Sequence, residues 1–350
     1  MNVALLIILL AFVATIGLVS AFRTIAYRYH LLDVPNARSS HASPTPRGGG
    51  IGIVISFFVG IFLLHFLGLM SLPLLVSFVV GGILLACIGL LDDLHHVPAR
   101  VRIFVHFIAG CSVLYILGGM PPLDLGFVIW DWRGLGVVVG LLGLVWLINL
   151  YNFMDGIDGL AGSEALFVAI AVAFLLFLKG DYLLIPVFLL LASAAGGFLI
   201  WNWSPARVFM GDTGSGFLGF VFGTLLIATT LNGALTPWQW LILLGCFWVD
   251  ATLTLIHRVI RGEPWYQAHC SHAFQQAVKR TGCHERVVLR VLYINILWLL
   301  PIAILSIYFP RWTLFLTILA ISPLIVLCIL LKAGISVSHE GYDLLDTVTE

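Results

Sequence analysis

The sequence predicts an all-α fold, a polytopic bundle of about 11 transmembrane helices, on three observations. Hydrophobic residues make up 61% of the 350 residues and charged residues only 10%, whereas roughly a quarter of a soluble chain is charged. The apolar residues form runs close to the roughly 20 residues that a helix needs to cross a bilayer. These runs do not alternate with a period of two, so helices are favoured over strands. A soluble enzyme and a disordered chain are therefore excluded.

Eleven apolar runs are the candidate spans. They lie near residues 3–22, 51–70, 73–91, 103–119, 135–151, 163–179, 182–201, 213–232, 238–257, 287–309 and 312–332. The first run has no basic segment before it and no clear small-x-small cleavage site. We therefore predict a retained helix at the N-terminus and not a cleaved signal peptide.

The Lys and Arg residues set the predicted orientation. With eleven spans, 14 of them fall in one set of connections and three in the other. Because basic residues stay on the cytoplasmic side, the N-terminus is predicted outside and the C-terminus in the cytoplasm. The chain is then one integral membrane domain over 1–350, with a long cytoplasmic loop at 258–286 that contributes to the active site and a cytoplasmic tail at 333–350. The net charge is zero, so nothing indicates a nucleic-acid partner.

Five carboxylates gather at the predicted cytoplasmic ends of three spans. Asp92 and Asp93 follow the third run directly. Asp155 and Asp158 follow the fifth run, and Asp212 opens the eighth. Carboxylates at these positions are costly to desolvate unless they bind something. A helix bundle can bring the ends together, and Asp and Asn oxygens are hard ligands suited to Mg²⁺ or Mn²⁺.

Groups suited to binding phosphate lie on the same predicted side. Arg47 precedes the three glycines 48–50 at the start of the second run, where backbone N–H groups can reach an anion. The loop 258–286 carries His269 and His272. Further cationic donors on this side are Arg38, His41, Arg100, Arg102 and Arg207. Metal ligands and anion donors at one membrane face suggest phosphoryl chemistry on a lipid-linked substrate.

Five sequence blocks carry a resemblance to a known family. The blocks are Asp33–His41 with Pro44–Gly50, Leu91–Asp93, Asn149–Ala161, Phe209–Ser215, and Asp250 ahead of a basic stretch. In this order they resemble the polyprenyl-phosphate N-acetylhexosamine-1-phosphate transferase family, of the glycosyltransferase family 4 type. The resemblance covers the chain from about residue 30 to residue 280.

The resemblance implies an activity and a metal. The enzyme would transfer N-acetylhexosamine 1-phosphate from a UDP-sugar to undecaprenyl (polyprenyl) phosphate and release UMP, with Mg²⁺, or Mn²⁺, as cofactor. Asp212 is the implied metal ligand, with Asn152 as a second. Asp92 and Asp93 are implied to orient or deprotonate the lipid phosphate, or to help hold the metal, and the sequence leaves these roles open.

The resemblance also implies a set of substrate-binding residues. Asp155 and Asp158 are expected to shape the nucleotide pocket, and Asn149 and Asn152 belong to the same set. The residues expected to bind the phosphates are Arg38, His41, Arg47, His269 and His272.

Two departures from the family pattern bear on the sugar. Many members carry a Lys where this chain has Ser40, and many carry a His-x-His-His-Arg run where this chain has His269-Cys-Ser-His272. These variants resemble the O-antigen-initiating subgroup, whose members use UDP-N-acetyl-6-deoxyhexosamines or UDP-GlcNAc. The resemblance thus implies the first step of O-antigen or cell-envelope polysaccharide synthesis at a bacterial inner (plasma) membrane, and the identity of the sugar stays open.

A cation-coupled secondary transporter is the alternative function. Transporters place ionisable groups near the middle of the bilayer on broken helices, in two similar halves. Here the carboxylates lie at span ends and no internal repeat is visible, which argues against transport. The length of the lipid carrier and the oligomeric state, a homodimer included, are left open by the sequence.

Overall fold

The structure, a computed structural model, describes residues 2–35, 43–263 and 269–335. Within these ranges the chain is an all-α membrane bundle with four two-residue strands, and the predicted fold class is confirmed. The helices are α1 (Asn2–Arg28), α2 (Ile51–Phe66), α3 (Leu72–Leu94), α4 (Ala99–Leu117), α5 (Arg133–Met154), α6 (Leu160–Lys179), α7 (Ile185–Asn202), α8 (Gly211–Leu231), α9 (Pro237–Leu243), α10 (Gly245–Ile260), α11 (Ala273–Thr281), α12 (His284–Ile294), α13 (Leu300–Tyr308) and α14 (Thr313–Leu330). The strands are β1 (Leu32–Asp33), β2 (Thr45–Pro46), β3 (Leu123–Asp124) and β4 (Ile129–Trp130).

Each predicted apolar run coincides with helical structure. Among the described residues, nine helices are long and apolar enough to cross a membrane, and the bent pair α9–α10 makes a tenth span if it counts as one. The remaining run forms α2, which has 16 residues. At 1.5 Å per residue this helix extends about 24 Å, which is short of a full crossing. The number of spans and the orientation therefore stay predictions.

The ninth predicted span, 238–257, is not one straight helix. α9 and α10 are bent by 83° at a break that contains Leu244. At the bend the indole N–H of Trp248 donates to the backbone oxygen of Leu241 at 2.8 Å. A partly buried carbonyl group near the break thus has a side-chain donor. Hydropathy predicts the apolar length of a segment but not its direction, so this bend is absent from the sequence pattern.

The helix α8 lies at the centre of the bundle, packed against α3 and α5. A Cβ atom on Gly219 of α8 would lie 2.5 Å from the backbone oxygen of Leu147 in α5. A Cβ atom on Gly89 of α3 would lie 2.6 Å from the backbone oxygen of Asp212. Only glycine permits these approaches, as in other close contacts between membrane helices. The end of α3 is thereby brought to the first turn of α8.

The segment before α2 docks against the segment before α8. β1 and β2 form an antiparallel hairpin, and Arg47, which follows it, pairs in parallel with Phe209. The N–H of Phe209 donates to the oxygen of Pro46 at 2.8 Å, and the N–H of Gly49 donates to the oxygen of Phe209 at 2.9 Å. Arg47 is thus held beside the start of α8.

The predicted loop 258–286 contains regular structure. It includes the end of α10, all of α11 and the start of α12, while residues 264–268 lie outside the described residues. α12 continues through a π-helical turn, Asn295–Leu299, into α13. Pro301, near the start of α13, lacks the N–H that a regular helix would use. Of the predicted tail, residues 336–350 also lie outside the described part.

Candidate active site

Asp93 caps the first turn of α8 from the end of α3. Its Oδ1 accepts a hydrogen bond from the backbone N–H of Asp212 at 2.9 Å. Its Oδ2 accepts from the backbone N–H of Thr213 at 3.0 Å and from the hydroxyl of Thr213 at 2.7 Å. The first N–H groups of a helix have no partner within it, so this buried carboxylate satisfies two of them. The geometry fits a positioning role for Asp93, and its catalytic role stays a prediction.

Asp212 lies between two arginines. Nη2 of Arg47 donates to its Oδ1 at 2.6 Å, and Nη1 of Arg102 donates to its Oδ2 at 2.5 Å. Nε of Arg47 also donates to Asp93 at 3.0 Å. Burial lowers the pKa of Arg47, but Asp212 and Asp93 outweigh burial and raise this pKa above its ordinary value. Arg47 therefore stays charged, and its side chain is 40% exposed, so it is accessible to an anionic ligand.

Asp92 shares a cation with Asp212. Its Oδ2 accepts a hydrogen bond from Arg102 at 2.8 Å, and its Oδ1 accepts from the backbone N–H of Val97 at 2.8 Å. Asp212 accepts from the same nitrogen, Nη1 of Arg102, which therefore lies within 2.8 Å of both carboxylates. Two carboxylates at this separation repel unless a proton or a cation lies between them. Arg102 supplies that positive charge in the structure.

A small polar cavity adjoins Asp212 between α3, α4, α5 and α8. Its volume is about 40 Å³, and its polar lining consists of Arg102, His106, Asn149, Asn152 and Asp212. The amide of Asn152 donates to the hydroxyl of Ser215 at 3.1 Å, and Asn152 lines the cavity together with Asp212. The amide of Asn149 lies 3.3 Å from Nδ1 of His106. Since a water molecule needs roughly 10–15 Å³ of such space, the cavity can hold water or an ion, and a nucleotide sugar must bind outside it.

The residues of this cluster fit a magnesium ion that keeps most of its water. Among the described residues, no group of three or more His, Cys, Asp or Glu side chains is arranged to hold a metal. Mg²⁺ does not need such a group, because it is commonly held by one or two carboxylates together with waters and substrate phosphates. Asp212 and Asn152 both line the water-sized cavity, and carboxylate and amide oxygens are ligands that Mg²⁺ accepts.

Asp155 ends α5 close to the same cluster. Its backbone N–H donates to the oxygen of Asn152 at 3.3 Å, and its carboxylate accepts no hydrogen bond from another described residue. Burial raises the pKa of Asp155 well above its usual range, and Arg47 offsets this only in part. This carboxyl group is partly exposed, so it can donate a hydrogen bond to a ligand when protonated or accept one when ionised.

Asp158 holds the turn between α5 and α6. Its Oδ2 accepts a hydrogen bond from the backbone N–H of Ala206 at 3.1 Å and lies 3.2 Å from Nδ1 of His284. Burial raises the pKa of Asp158, but the contacts with His284 and Ala206 outweigh burial and hold the pKa below its ordinary value. Gly159, which follows, donates its N–H to the side chain of Asn202 at 3.0 Å. Asp158 therefore joins three segments of the chain and stays ionised at neutral pH.

His269 and His272 lie together before α11. Their ring centroids are 4.9 Å apart, and Nδ1 of His269 lies 3.1 Å from the hydroxyl of Ser271. Burial, with further contributions from His272 and Arg258, lowers the pKa of His269 to about 3. This ring is neutral at pH 7, so it can contribute one hydrogen bond to a phosphate but not a positive charge.

The structure brings most of the predicted site residues to one end of the bundle. Arg38 and His41 lie outside the described residues, so their predicted roles stay predictions. The sequence indicates Arg102 only as one of several cationic donors and assigns no site role to His284. Arg102 lies in α4, ten residues after Asp92 at the end of α3, and its contact with Asp212 crosses 110 positions, which no local pattern indicates.

Comparisons with known proteins decide the family. A model of glycosyl transferase family 4 matches residues 75–230, which include Asp92, Asp93, the 149–158 block and Asp212. A phospho-N-acetylmuramoyl-pentapeptide-transferase from Moorella thermoacetica is 32% identical over 243 residues, which cover 65% of this chain and 73% of that protein. The chain belongs to glycosyl transferase family 4. It is therefore a multi-pass membrane enzyme of the phosphotransferase type.

Two further relatives match a larger share of this chain. A probable undecaprenyl-phosphate N-acetylglucosaminyl 1-phosphate transferase from Bacillus subtilis is 26% identical, over 78% of this chain and 76% of that protein. A decaprenyl-phosphate N-acetylglucosaminephosphotransferase from Mycobacterium leprae is 27% identical, over 79% of this chain and 80% of that protein. The family membership supports the predicted transferase function and gives no support to the alternative function, a secondary transporter.

Proposed function

We propose that the protein transfers an N-acetylhexosamine 1-phosphate from a UDP-sugar to polyprenyl phosphate. The observation that carries this proposal is the position of Asp212 on the first turn of α8, between Arg47 and Arg102 and beside Asp92. The names of the relatives, which refer to polyprenyl phosphate and N-acetylglucosamine, supply the substrates.

The reaction brings two anions together. A phosphate oxygen of the lipid attacks the sugar-proximal phosphorus of the UDP-sugar, and a new P–O bond forms. The bond between this phosphorus and the bridging oxygen breaks, and UMP leaves with the bridging oxygen and the electron pair. The product is polyprenyl-diphospho-sugar. Since a lipid phosphate is largely ionised near neutral pH, the attack needs no strong base, and the main requirement is to offset the repulsion between the phosphates.

Arg47 and Arg102 meet this requirement from opposite sides of Asp212. Both guanidinium groups are partly exposed, 40% and 28%, and both are fixed by carboxylates that hold their orientation. A guanidinium held in this way can bind phosphate oxygens in two places at once. The first turn of α8 points its backbone dipole at the same region, which favours negative charge there.

Mg²⁺ is the proposed cofactor, with Mn²⁺ as its substitute. Asp212, with the amide of Asn152 and the carboxylate of Asp92, would hold the ion, which would screen the phosphates and stabilise the charge that develops on the leaving oxygen. Asp93 keeps the first turn of α8, and with it Asp212, in position. Asp155 and the neutral His269 are the proposed hydrogen-bonding groups for the nucleotide sugar.

An apolar cavity provides a surface for the isoprenoid chain. It lies between α5, α8, α9 and α10 and has a volume of about 230 Å³. Its lining includes Trp146, Leu150, Trp240, Leu244 and Trp248. Trp146 lies one helical turn before Asn149 in α5, so the cavity begins close to the polar cluster. An apolar lining of this kind suits a hydrocarbon chain whose phosphate reaches the arginines.

The assignment of the polysaccharide and of the sugar rests on the resemblance of individual sequence blocks to those of the family. We propose that the lipid product starts O-antigen synthesis at the cytoplasmic face of a bacterial inner membrane. The support is the Arg38-Ser-Ser-His41 block, the Ser271-His272-Ala-Phe-Gln275 block and the bacterial origin of the relatives named above. The sugar is proposed to be N-acetylglucosamine or a 6-deoxy N-acetylhexosamine.

A substrate screen tests the proposal. The purified full-length protein is incubated with undecaprenyl phosphate and a panel of UDP-sugars, and UMP and the lipid product are detected by mass spectrometry. We expect UMP and a lipid-diphospho-sugar with at least one UDP-N-acetylhexosamine, loss of both with EDTA, and recovery with Mg²⁺. Release of no UMP from any UDP-N-acetylhexosamine would overturn the proposal.

Asp212→Ala is the matched variant in this screen. We expect it to abolish turnover, while the protein still accumulates because Arg47 and Arg102 keep Asp93 and Asp92 as partners. Asp181→Ala is the control, since Asp181 makes one 3.3 Å contact with the N–H of Leu183 at an exposed position. Turnover at the wild-type rate in Asp212→Ala would remove Asp212 from the site.

A further inference from the structure

Asp250 is a buried carboxylate outside the Asp92–Asp212 cluster, and the sequence leaves its role open. It lies in α10 with a side chain that is 5% exposed. Its Oδ1 accepts hydrogen bonds from the backbone N–H of Ala273 at 2.8 Å and from the hydroxyl of Thr254 at 3.0 Å. Its Oδ2 accepts from the backbone N–H of Phe274 at 3.0 Å. The carboxylate therefore binds a segment 23 residues further along the chain.

These contacts cap the helix α11 from another helix. Ala273 and Phe274 are the first two residues of α11, whose N–H groups have no partner within the helix. A carboxylate at this end is also favoured by the helix dipole. Asp250 thus holds the start of α11 as Asp93 holds the start of α8. In both cases the capped turn lies next to a predicted site residue, Asp212 in one and His272 in the other.

Asp250 also faces the ring of His272. Nδ1 of His272 lies 3.4 Å from Oδ1 of Asp250 and has no hydrogen-bond partner among the described residues. The ring stacks on Phe274, with centroids 5.5 Å apart and an interplanar angle of 15°. The ring of His272 also contacts the rings of Phe153 and His269, with centroid distances of 6.3 Å and 4.9 Å. The carboxylate 3.4 Å from Nδ1 and the three ring contacts together restrict the orientation of the imidazole.

The start of α11 rests on the turn that carries Asp155 and Asp158. A Cβ atom on Gly156 would lie 2.9 Å from Cζ of Phe274 and 3.2 Å from Nε2 of Gln275. The two predicted nucleotide-binding segments are thus in close contact, and a shift of α11 would change both.

We infer that Asp250 is a positioning residue for the nucleotide-sugar site. It holds the start of α11 against the Asp155–Asp158 turn and orients the ring of His272 toward the phosphates of the UDP-sugar. This inference rests on the proposed function for its substrate, but the capping of α11 does not depend on it.

Asp250→Asn tests the inference in the full-length protein. An Asn side chain offers one acceptor oxygen, and its NH₂ group would face a backbone N–H. We expect the KM for the UDP-sugar to rise about tenfold, which corresponds to about 1.4 kcal/mol of binding, while the KM for polyprenyl phosphate changes less than about twofold. We also expect faster amide hydrogen exchange in 269–281 and unchanged exchange in α12.

Thr254→Val is the matched control. It removes a hydrogen bond to Asp250 but none to α11, so both KM values and the exchange of 269–281 should stay close to wild type. If Asp250→Asn does not accumulate, Asp250→Glu replaces it. Glu keeps the charge and both oxygens but moves them by one methylene group, and the same rise in the KM for the UDP-sugar is expected.

The outcomes separate this inference from the proposed function. An unchanged KM for the UDP-sugar together with unchanged exchange in 269–281 would overturn the positioning role. An equal rise of both KM values with faster exchange throughout the protein would overturn it too, because that result indicates only general destabilisation. If the wild-type protein uses no UDP-sugar, the proposed function and the substrate part of the inference both fail, and the exchange of 269–281 still decides the capping of α11.

Discussion

Asp93→Asn separates a positioning role for Asp93 from a chemical one. Asp93 accepts four hydrogen bonds, two from backbone N–H groups at the start of α8, one from the hydroxyl of Thr213 and one from Arg47. An Asn side chain keeps the size but has one acceptor oxygen, and its NH₂ group would face donors. The perturbation is therefore the loss of about half of these contacts at a side chain that is 2% exposed.

The expected magnitude follows from these contacts. A hydrogen bond to a charged group contributes about 1.5–3 kcal/mol, so the loss of two should destabilise the protein by about 3–6 kcal/mol. The first turn of α8 would shift, and Asp212 would shift with it. A displacement of about 1 Å at a catalytic group can lower turnover about 100-fold. We therefore expect a lower Tm and a fall in turnover of this order.

Three measurements in detergent or nanodiscs test the prediction: the Tm, UMP release, and amide hydrogen exchange of Asp212 and Thr213. Asp124→Asn is the control, because Asp124 is an exposed carboxylate that accepts one backbone N–H at 2.7 Å, from Gly126. It should change little in any assay. Wild-type Tm and exchange in Asp93→Asn, with turnover still lost, would refute the positioning argument and indicate that Asp93 acts on the substrate directly.

Substitutions at Arg102, Asn295 and His269 test other contacts. Arg102→Gln removes the cation between two carboxylates, and UMP release at saturating Mg²⁺ should fall about 100-fold; unchanged release would exclude Arg102 from the site. Asn295→Leu removes the 2.6 Å hydrogen bond to the buried Glu164, which should cost about 1–3 kcal/mol and lower the Tm while turnover persists at low temperature; an unchanged Tm would contradict this. The pKa of His269 is lowered from an ordinary value of 6.5 to about 3, so its contribution to stability is present above pH 6.5 and is lost as the pH falls toward 3. The Tm of the wild type should therefore fall more between pH 7 and pH 4 than that of His269→Gln, and parallel curves would contradict the prediction.

The sequence alone determined the fold class, the apolar segments that form the membrane helices and the side chains that could carry the chemistry. Hydropathy is a local property, so each apolar run could be recognised without knowledge of its neighbours. Five carboxylates at the ends of three runs predicted a shared polar site because charged groups avoid the apolar core. The same reasoning left the roles of Asp92, Asp93 and Asp250 open.

Only the tertiary structure decided which partner each of these carboxylates has. Asp93 reaches the first turn of α8 across 119 positions, and it does so because Gly89 lets α3 approach that turn. Asp250 reaches α11 because of how α10 leaves the bend at Leu244. Hydrogen bonds depend on distance and direction between segments, and composition and spacing along the chain do not contain either quantity. Adjacent aspartates that look equivalent in the sequence, Asp92 and Asp93, therefore have different contacts in the fold.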